Sequence, residues 1–262
     1  MKYFSKTWTY LLSAKAVVLY SACSSFKNKL CFAEWNSNWD GRNNLQGYTG
    51  ANNYFLIRHG EYHTRNEPQN LSNTGMAQAI AVGEYLNDFL ARNPDLKLTS
   101  VVSSNVYRAV QTAQLAFLKF RNHLQDPNGV TPNDYKIEPF IGLNECDPYV
   151  TYRVLDRPDE FTDKRQKQMI FYRRRLNHAA SQIFKRPDHN EERLHIVFAH
   201  ATVNRYLLLH LLQLPCAAWF NFEHYHCGIT WLRVDKDGYV TCKCFDDAGH
   251  LDDCLKTQNN VR

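Results

Sequence analysis

No two of the eight cysteines stand at Cys-x-x-Cys spacing, which sets a zinc site aside. They are also too few for a disulfide scaffold in 262 residues, so reduced intracellular thiols are expected. No stretch interleaves basic residues with aromatics as nucleic-acid readers do, and no nucleic-acid partner is expected. No unbroken apolar run reaches the about 20 residues that an ordinary membrane-spanning helix needs. What is present is an ordinary globular balance of apolar and charged residues, enough for one large α/β domain or two small ones. The formal net charge of +5 favours anionic substrates or surfaces without identifying them.

Acids are also missing from the first thirty positions, which carry Lys2, Lys6, Lys15, Lys27 and Lys29 before the first carboxylate at Glu34. Three readings fit residues 1–30. The basic, acid-free composition suits a mitochondrial import segment. The aromatic flank of Tyr3, Phe4 and Trp8, with mostly apolar residues to Cys23 and Lys15 able to snorkel, suits a membrane anchor. Ser21-Ala22-Cys23 suits a secretory or lipoprotein signal, although Tyr20 is a poor residue in that site. The expectation is organelle targeting, to mitochondria, with membrane anchoring. Trp35-Asn36-Ser37-Asn38-Trp39-Asp40 follows, two large aromatics among polar residues that either dock a partner or pack back on their own domain. Residues 43–53, rich in Asn and Gly, read as a linker. The expected division is 1–30, 31–53 and a domain over 54–262.

Within that domain, Tyr54-Phe55-Leu56-Ile57 reads as a buried strand that runs into Arg58-His59-Gly60. Open α/β sheets bind ligands at the carboxyl ends of their strands. A guanidinium beside a nucleophilic imidazole there suits capture of a phosphate and attack on it. Gly60 lets the backbone turn and approach a ligand. A helix is expected from Thr74 as N-cap, burying Met76, Ala79, Ile80, Gly83, Leu86 and Leu90, and ending at Asn93-Pro94. A second strand over Leu96–Ser103 leads through Ser103-Ser104-Asn105 to a helix with Arg108 in its first turn, beside free backbone N–H groups. Tyr135 to Glu138 reads as an edge strand closed by Pro139. Glu145 follows on a loop where a carboxylic acid could protonate a leaving oxygen. Residues 159–186 read as a long helix carrying Lys164, Arg165, Lys167, Arg173, Arg174 and Arg175, either a solvated face or a rim that draws in phosphorylated partners. His195 to His200 repeats the first design, a buried strand ending in histidine. Ala201 then opens a helix with inward Val203, Leu207, Leu211 and Leu214, giving a second cationic donor and open backbone N–H groups. Cys227–Val234 and Tyr239–Phe245 read as a hairpin across Lys236-Asp237-Gly238. His224 and His226 hint at a metal, but no acid or cysteine spacing accompanies them.

Five motifs in order, Leu56-Ile57-Arg58-His59-Gly60, Leu71-Ser72-Asn73-Thr74-Gly75, Ser103-Ser104 with Arg108-Ala109, Leu143-Asn144-Glu145 and Ala199-His200-Ala201, resemble the histidine phosphatase (phosphoglycerate mutase-like) superfamily over roughly residues 54–250. Within it, the tryptophan segment is similar to the Trp-Asp-x-Asn-Trp-Asp assembly motif of the mitochondrial serine/threonine phosphatases. Asn36 departs from that motif, and the acidic partner-binding stretch of some relatives is missing. The resemblance implies an α/β three-layer sandwich, a mainly parallel central sheet with helices on both faces. It implies double displacement on phosphoserine or phosphothreonine proteins. His59 is the nucleophile, Glu145 the general acid and base, and Arg58, Arg108, His200 and the Ala201 backbone hold the phosphoryl group. It further implies homo-oligomers through Trp35, Trp39 and Asp40, with no metal or other cofactor. A small-molecule phosphatase or mutase of the same fold, or a weakly catalytic scaffold, are the alternatives.

Overall fold

Alternation of side chains along two adjacent strands decides how this chain is layered. The computed structural model describes residues 35–42, 47–65, 69–124, 135–149 and 162–258, and from Asn36 onward these form one compact body. The targeting and anchoring segment expected over 1–30 lies outside them. Among the described residues no helix is long and apolar enough to cross a membrane.

The elements run β1 (Ala51–Arg58), α1 (Asn73–Arg92), β2 (Leu96–Ser103), α2 (Tyr107–Phe120), β3 (Glu138–Pro139), α3 (Asp163–Ile183), β4 (Glu192–Ala199), α4 (Ala201–Leu211), β5 (Ile229–Val234) and β6 (Val240–Asp247). The sheet order is β3-β2-β4-β1-β5-β6. The first four of these strands are parallel, and the β5–β6 hairpin adds antiparallel at β1. Phe55, Ile57, Ile196 and Phe198 share one buried cluster with Val82, Leu86, Ala113 and Phe117 of α1 and α2. Tyr54 points the opposite way and meets Phe184, just past α3, at 4.6 Å between ring centroids. Helices therefore cover both faces, as the three-layer expectation requires.

Several boundaries differ from the sequence reading. β1 begins at Ala51 and takes in Asn52 and Asn53 from the stretch read as linker. Both are buried polar residues whose amides find partners, Lys185 O for Asn52 and Glu192 and Trp231 for Asn53. Such satisfaction makes burial of an amide tolerable, but the partners lie over a hundred residues away in sequence. α1 is capped by Ser72, whose hydroxyl accepts from Gly75 N, with Thr74 inside the helix. Within α1 Met76 is exposed and Ile80 half-buried. β3 is shorter than expected and includes Pro139, tolerable because the strand is an edge. α3 starts at Asp163, capped by the Thr162 hydroxyl. Leu214 is exposed because α4 ends at Leu211 and Gln213 turns the chain with φ of 54°.

The parallel register positions the site. Arg58 pairs with Ala199, so His59 and His200 leave their strands side by side. Ser103 pairs with Phe198, which brings Ser104 and the start of α2 to the same end. From β1 the chain crosses to β2, on one side. From β4 it crosses to β5, on the other. That divergence opens a crevice at the carboxyl ends of neighbouring strands.

Candidate active site

Two imidazoles, two guanidiniums and a carboxylate meet in that crevice. His59 and His200 ring centroids are 5.1 Å apart, close enough to touch one tetrahedral anion, and both rings are buried. His59 Nδ1 lies 2.8 Å from Gly60 O. A carbonyl only accepts, so Nδ1 carries the hydrogen and Nε2 keeps its lone pair. That lone pair receives Arg108 Nε–H at 3.1 Å. Burial first, then the mutual opposition of the His59 and His200 rings to charging and the charges of Arg58 and Arg108, push the His59 pKa well below 6.5. His59 is therefore neutral at physiological pH, the form in which an imidazole is a nucleophile.

Arg108 is the hub. Besides His59 it donates to Gln69 Oε1 at 2.7 Å, to the Glu145 carboxylate, and to His200 Nδ1 at 3.3 Å. Its guanidinium stacks 4.5 Å from the Tyr62 ring centroid. Glu145 follows the short 3-10 turn Ile141–Leu143. It is the half-exposed member of the group and lies 3.8 Å from His200 Nδ1. On the far side, Arg58 donates to His224 O, while its Nε is buried without a partner. Burial brings the Arg58 pKa down to about 10, which leaves it cationic at neutral pH. An unpaired donor buried beside the crevice is what an anion site requires.

His200 departs from the cationic donor expected of it. Ser104 Oγ spends its one hydrogen on Asn144 Oδ1 at 3.1 Å, so it accepts from His200 Nε2–H at 2.9 Å. His200 Nδ1 then presents a lone pair to Arg108. Burial first, and the charges of Arg108, Arg58 and Arg175 after it, lower the His200 pKa well below 6.5. The ring is neutral, and only an incoming anion would favour charging it. Ala201, the first residue of α4, has its backbone N–H at the helix start beside His200.

Gly60 is crowded by protein where a ligand was expected. A Cβ there would stand 2.6 Å from Gly75 O, and one at Gly75 would overlap Glu61 O. The loop that carries His59 is pressed onto the N-terminus of α1. Gln78 reinforces it, accepting from Glu61 N at 2.8 Å and donating to Leu255 O at 2.6 Å.

Ser104 and Asn144 stand in the motifs without a role of their own, and Tyr62, Gln69 and the carbonyl of His224 were given no part in this site. For the first two, their place in the motifs was the signal; the hydrogen bonds that join them to His200 were not visible in it. Gln69, Tyr62 and His224 carry no local signal. Tyr225 N donates to both oxygens of Asp246, which also lies 2.8 Å from His224 Nδ1. That carboxylate anchors the loop whose carbonyl grips Arg58. Among the described residues no group of histidines, cysteines and acids could hold a metal ion.

The tryptophan segment stands apart from this chemistry. Trp39 Nε1 donates to Gly238 O at 2.8 Å. The Asp40 carboxylate is buried and takes Arg186 Nε at 2.7 Å and Arg42 Nε at 2.9 Å. Gly238, at φ +86°, admits this contact because a Cβ there would overlap Ser37 O. Trp39 and Asp40 thus pack on their own domain, and Trp35 is half-buried.

The sequence pattern of the histidine phosphatase superfamily (branch 1) matches residues 54–247. The chain is 29% identical over 246 residues to the serine/threonine-protein phosphatase Pgam5, mitochondrial, of Caenorhabditis elegans, covering 83% of this chain and 78% of that one. The protein of the same name from Drosophila mojavensis is 26% identical over 252 residues, covering 84% and 79%. Among solved structures, the phosphoglycerate mutase of Plasmodium falciparum matches with a TM-score of 0.50 at 26% identity, over 75% of this chain and 91% of that one.

Proposed function

The chain belongs to the histidine phosphatase superfamily, and from that premise we propose that it is a protein serine/threonine phosphatase working through a phosphohistidine. One observation carries the mechanism: the lone pair of His59 Nε2 and the carboxylate of Glu145 are held by the same Arg108 guanidinium. A phosphoryl group entering between them takes over the donors of Arg108 and meets the unpaired Nε of Arg58. As Arg108 turns to the phosphoryl group, Glu145 takes up the proton of the bound monoester monoanion. His59 Nε2 attacks phosphorus, the bond to the serine or threonine oxygen breaks, and Glu145 gives that oxygen the proton. The phosphohistidine is then attacked by water, whose proton Glu145 accepts, and inorganic phosphate leaves. Arginines and backbone N–H groups supply the positive charge that phosphoryl transfer requires.

Specificity for phosphoserine and phosphothreonine rests on the likeness to the nematode and fly proteins. Their name also supports a mitochondrial location; the anchoring role of residues 1–30 rests on their basic, acid-free and aromatic-flanked sequence alone. The test is acid-labile phosphate trapping on the purified protein with a radiolabelled phosphoserine peptide. Label on the wild type, absent from His59→Ala, is expected. Unchanged turnover by His59→Ala would reject the nucleophile. The likeness to the Plasmodium falciparum mutase favours a second reading, transfer on a phosphoglycerate. That enzyme would isomerise its substrate, where a phosphatase releases inorganic phosphate.

A further inference from the structure

Beyond β6 the chain runs back toward α1. Leu251 joins the buried cluster that α1 helps to build, and Leu255 packs against it. Two residues further on, the half-buried Thr257 bonds two buried side chains from separate elements. Gln78 Nε2 of α1 donates to Thr257 Oγ1 at 2.8 Å, and His226 Nδ1, from the turn before β5, lies 2.8 Å from the same oxygen. We propose that Thr257 is a positioning residue for His59, joining the two elements that bracket the nucleophile so that its ring stays aimed at phosphorus. The inference rests on the phosphohistidine reading and goes beyond it, because it brings the C-terminal segment into the reaction.

Each element reaches His59 independently. On one side, Gln78 accepts from Glu61 N at 2.8 Å, in the loop that His59 opens. On the other, the His226 ring lies 5.7 Å from the His59 ring between centroids. The next residue, Cys227, donates its N–H to Arg58 O at 3.1 Å. Thr257 grips this turn by its backbone as well, its carbonyl accepting from His226 N at 2.9 Å. The aim of the His59 ring therefore depends on these neighbours as well as on its own bonds to Gly60 and Arg108.

The hydroxyl is what lets one atom serve both partners. It accepts from Gln78 and bonds His226 Nδ1 in either direction, since a hydroxyl carries one hydrogen and two lone pairs. Leaving a buried polar atom unpaired is costly, and Gln78 and His226 are both buried. Valine has the shape of threonine and can make neither bond. Without the hydroxyl, Gln78 keeps Leu255 O at 2.6 Å, but His226 Nδ1 has to turn toward another partner, and the ring beside it is that of His59. A near-attack geometry tolerates little such movement. Arg58 and Arg108 are held elsewhere, by His224 O, Gln69 and Glu145, so capture of the anion does not depend on Thr257.

The experiment follows the full chain through a single turnover of a phosphoserine peptide and of p-nitrophenyl phosphate, measuring how fast acid-labile phosphate appears on the protein. Inhibition by inorganic phosphate and thermal unfolding are measured beside it. T257V should form the phosphohistidine about 10- to 100-fold more slowly on both substrates, because aim matters whatever the leaving group. Its inhibition by inorganic phosphate should stay within about twofold of wild type, since ground-state binding of the anion is untouched. T257S keeps the hydroxyl and should stay within about threefold of wild type in rate. T257V forming phosphohistidine at the wild-type rate overturns the positioning role, as does a loss that T257S shares. A loss seen only near the melting temperature, or matched by an equal loss of phosphate affinity, also overturns it and leaves Thr257 a structural residue. T257A, whose smaller side chain brings no apolar branch against His226, is read by the same outcomes if T257V does not fold. No acid-labile phosphate on the wild type overturns the phosphohistidine reading itself.

Discussion

Replacing Arg108 by lysine separates charge from geometry at the centre of the site. The guanidinium directs hydrogen bonds to His59 Nε2, Gln69, Glu145 and His200 through three different nitrogens. An ammonium keeps the positive charge but is one point on a flexible stem and cannot span those positions. Two of the four partners, His59 and Glu145, flank the space for the phosphoryl group, so two donors aimed at transition-state charge are lost or displaced. Each such donor is worth about 10²–10³ in kcat. With partial retention of charge, R108K should fall by about 10³–10⁵, or about 4–7 kcal/mol of transition-state stabilisation. Folding should suffer far less, because Glu145, the one ionic partner, is half-exposed and can be solvated. Phosphate release and single-turnover trapping of acid-labile phosphate, with thermal unfolding as the control, measure both quantities. A variant within about threefold of wild type would show that simple positive charge suffices. The hub reading would then be wrong.

Glu145→Gln should slow turnover of a phosphoserine peptide by about 10²–10⁴. It should slow p-nitrophenyl phosphate much less, since that leaving group needs no proton, and an equal loss on both would remove Glu145 from the acid role. Buried neutral histidines set the acid stability. Burial is the main cause that lowers His59 and His200 well below 6.5, and His195 and His250 to about 4. As pH falls below 6.5 the unfolded chain binds protons that these folded rings refuse, so stability declines, by up to about 1.4 kcal/mol per pH unit for each ring. A melting temperature flat between pH 6.5 and 4 would contradict this. If the tryptophan segment joins copies of this chain, as its likeness to the assembly motif implies, Trp35→Ala with Trp39→Ala should shrink the particle in sizing experiments. A lower melting temperature at unchanged size would instead assign the segment to its own domain.

How far the chain was legible differs between its strands and its polar partners. The β2 limits, the hairpin and both strand-end histidines could be read locally, because apolar runs and turn residues record burial and reversal in the sequence itself. The meeting of His59 with His200 depends on register, Arg58 opposite Ala199, and no local pattern states a register between strands 140 residues apart. The neutral state of His200 was misread for a related reason. A histidine at a helix start looks like a cation until Ser104, its own hydrogen given to Asn144, is seen to accept the Nε2 hydrogen and leave Nδ1 as a lone pair facing Arg108. Asn52 and Asn53 were placed in a linker because the stretch 43–53 is rich in Asn and Gly, and asparagine is seldom buried. Only the distant carbonyls, acid and indole that satisfy them make the strand possible.

The same distinction gives Gly75 a role that its place in a helix start hides. A Cβ at Gly75 would overlap the carbonyl of Glu61, and Gly60 lies under Gly75 in turn. Both colliding groups are backbone, so no side chain can swing aside. Gly75→Ala must lift the loop of residues 59–61 away from α1 or shift the helix itself. The loop is the softer element, though it is held by Ser72 N to Glu61 O at 3.0 Å and Gly60 N to Thr112 Oγ1 at 3.0 Å. A displacement near 1 Å at a reacting group costs about 10² in rate. G75A should therefore lose about that much kcat without touching substrate. The loss should come with slower phosphohistidine formation and only a modest fall in melting temperature. Full activity with an unchanged fold would mean that the helix yields instead, and that the close packing of these two glycines does not aim His59.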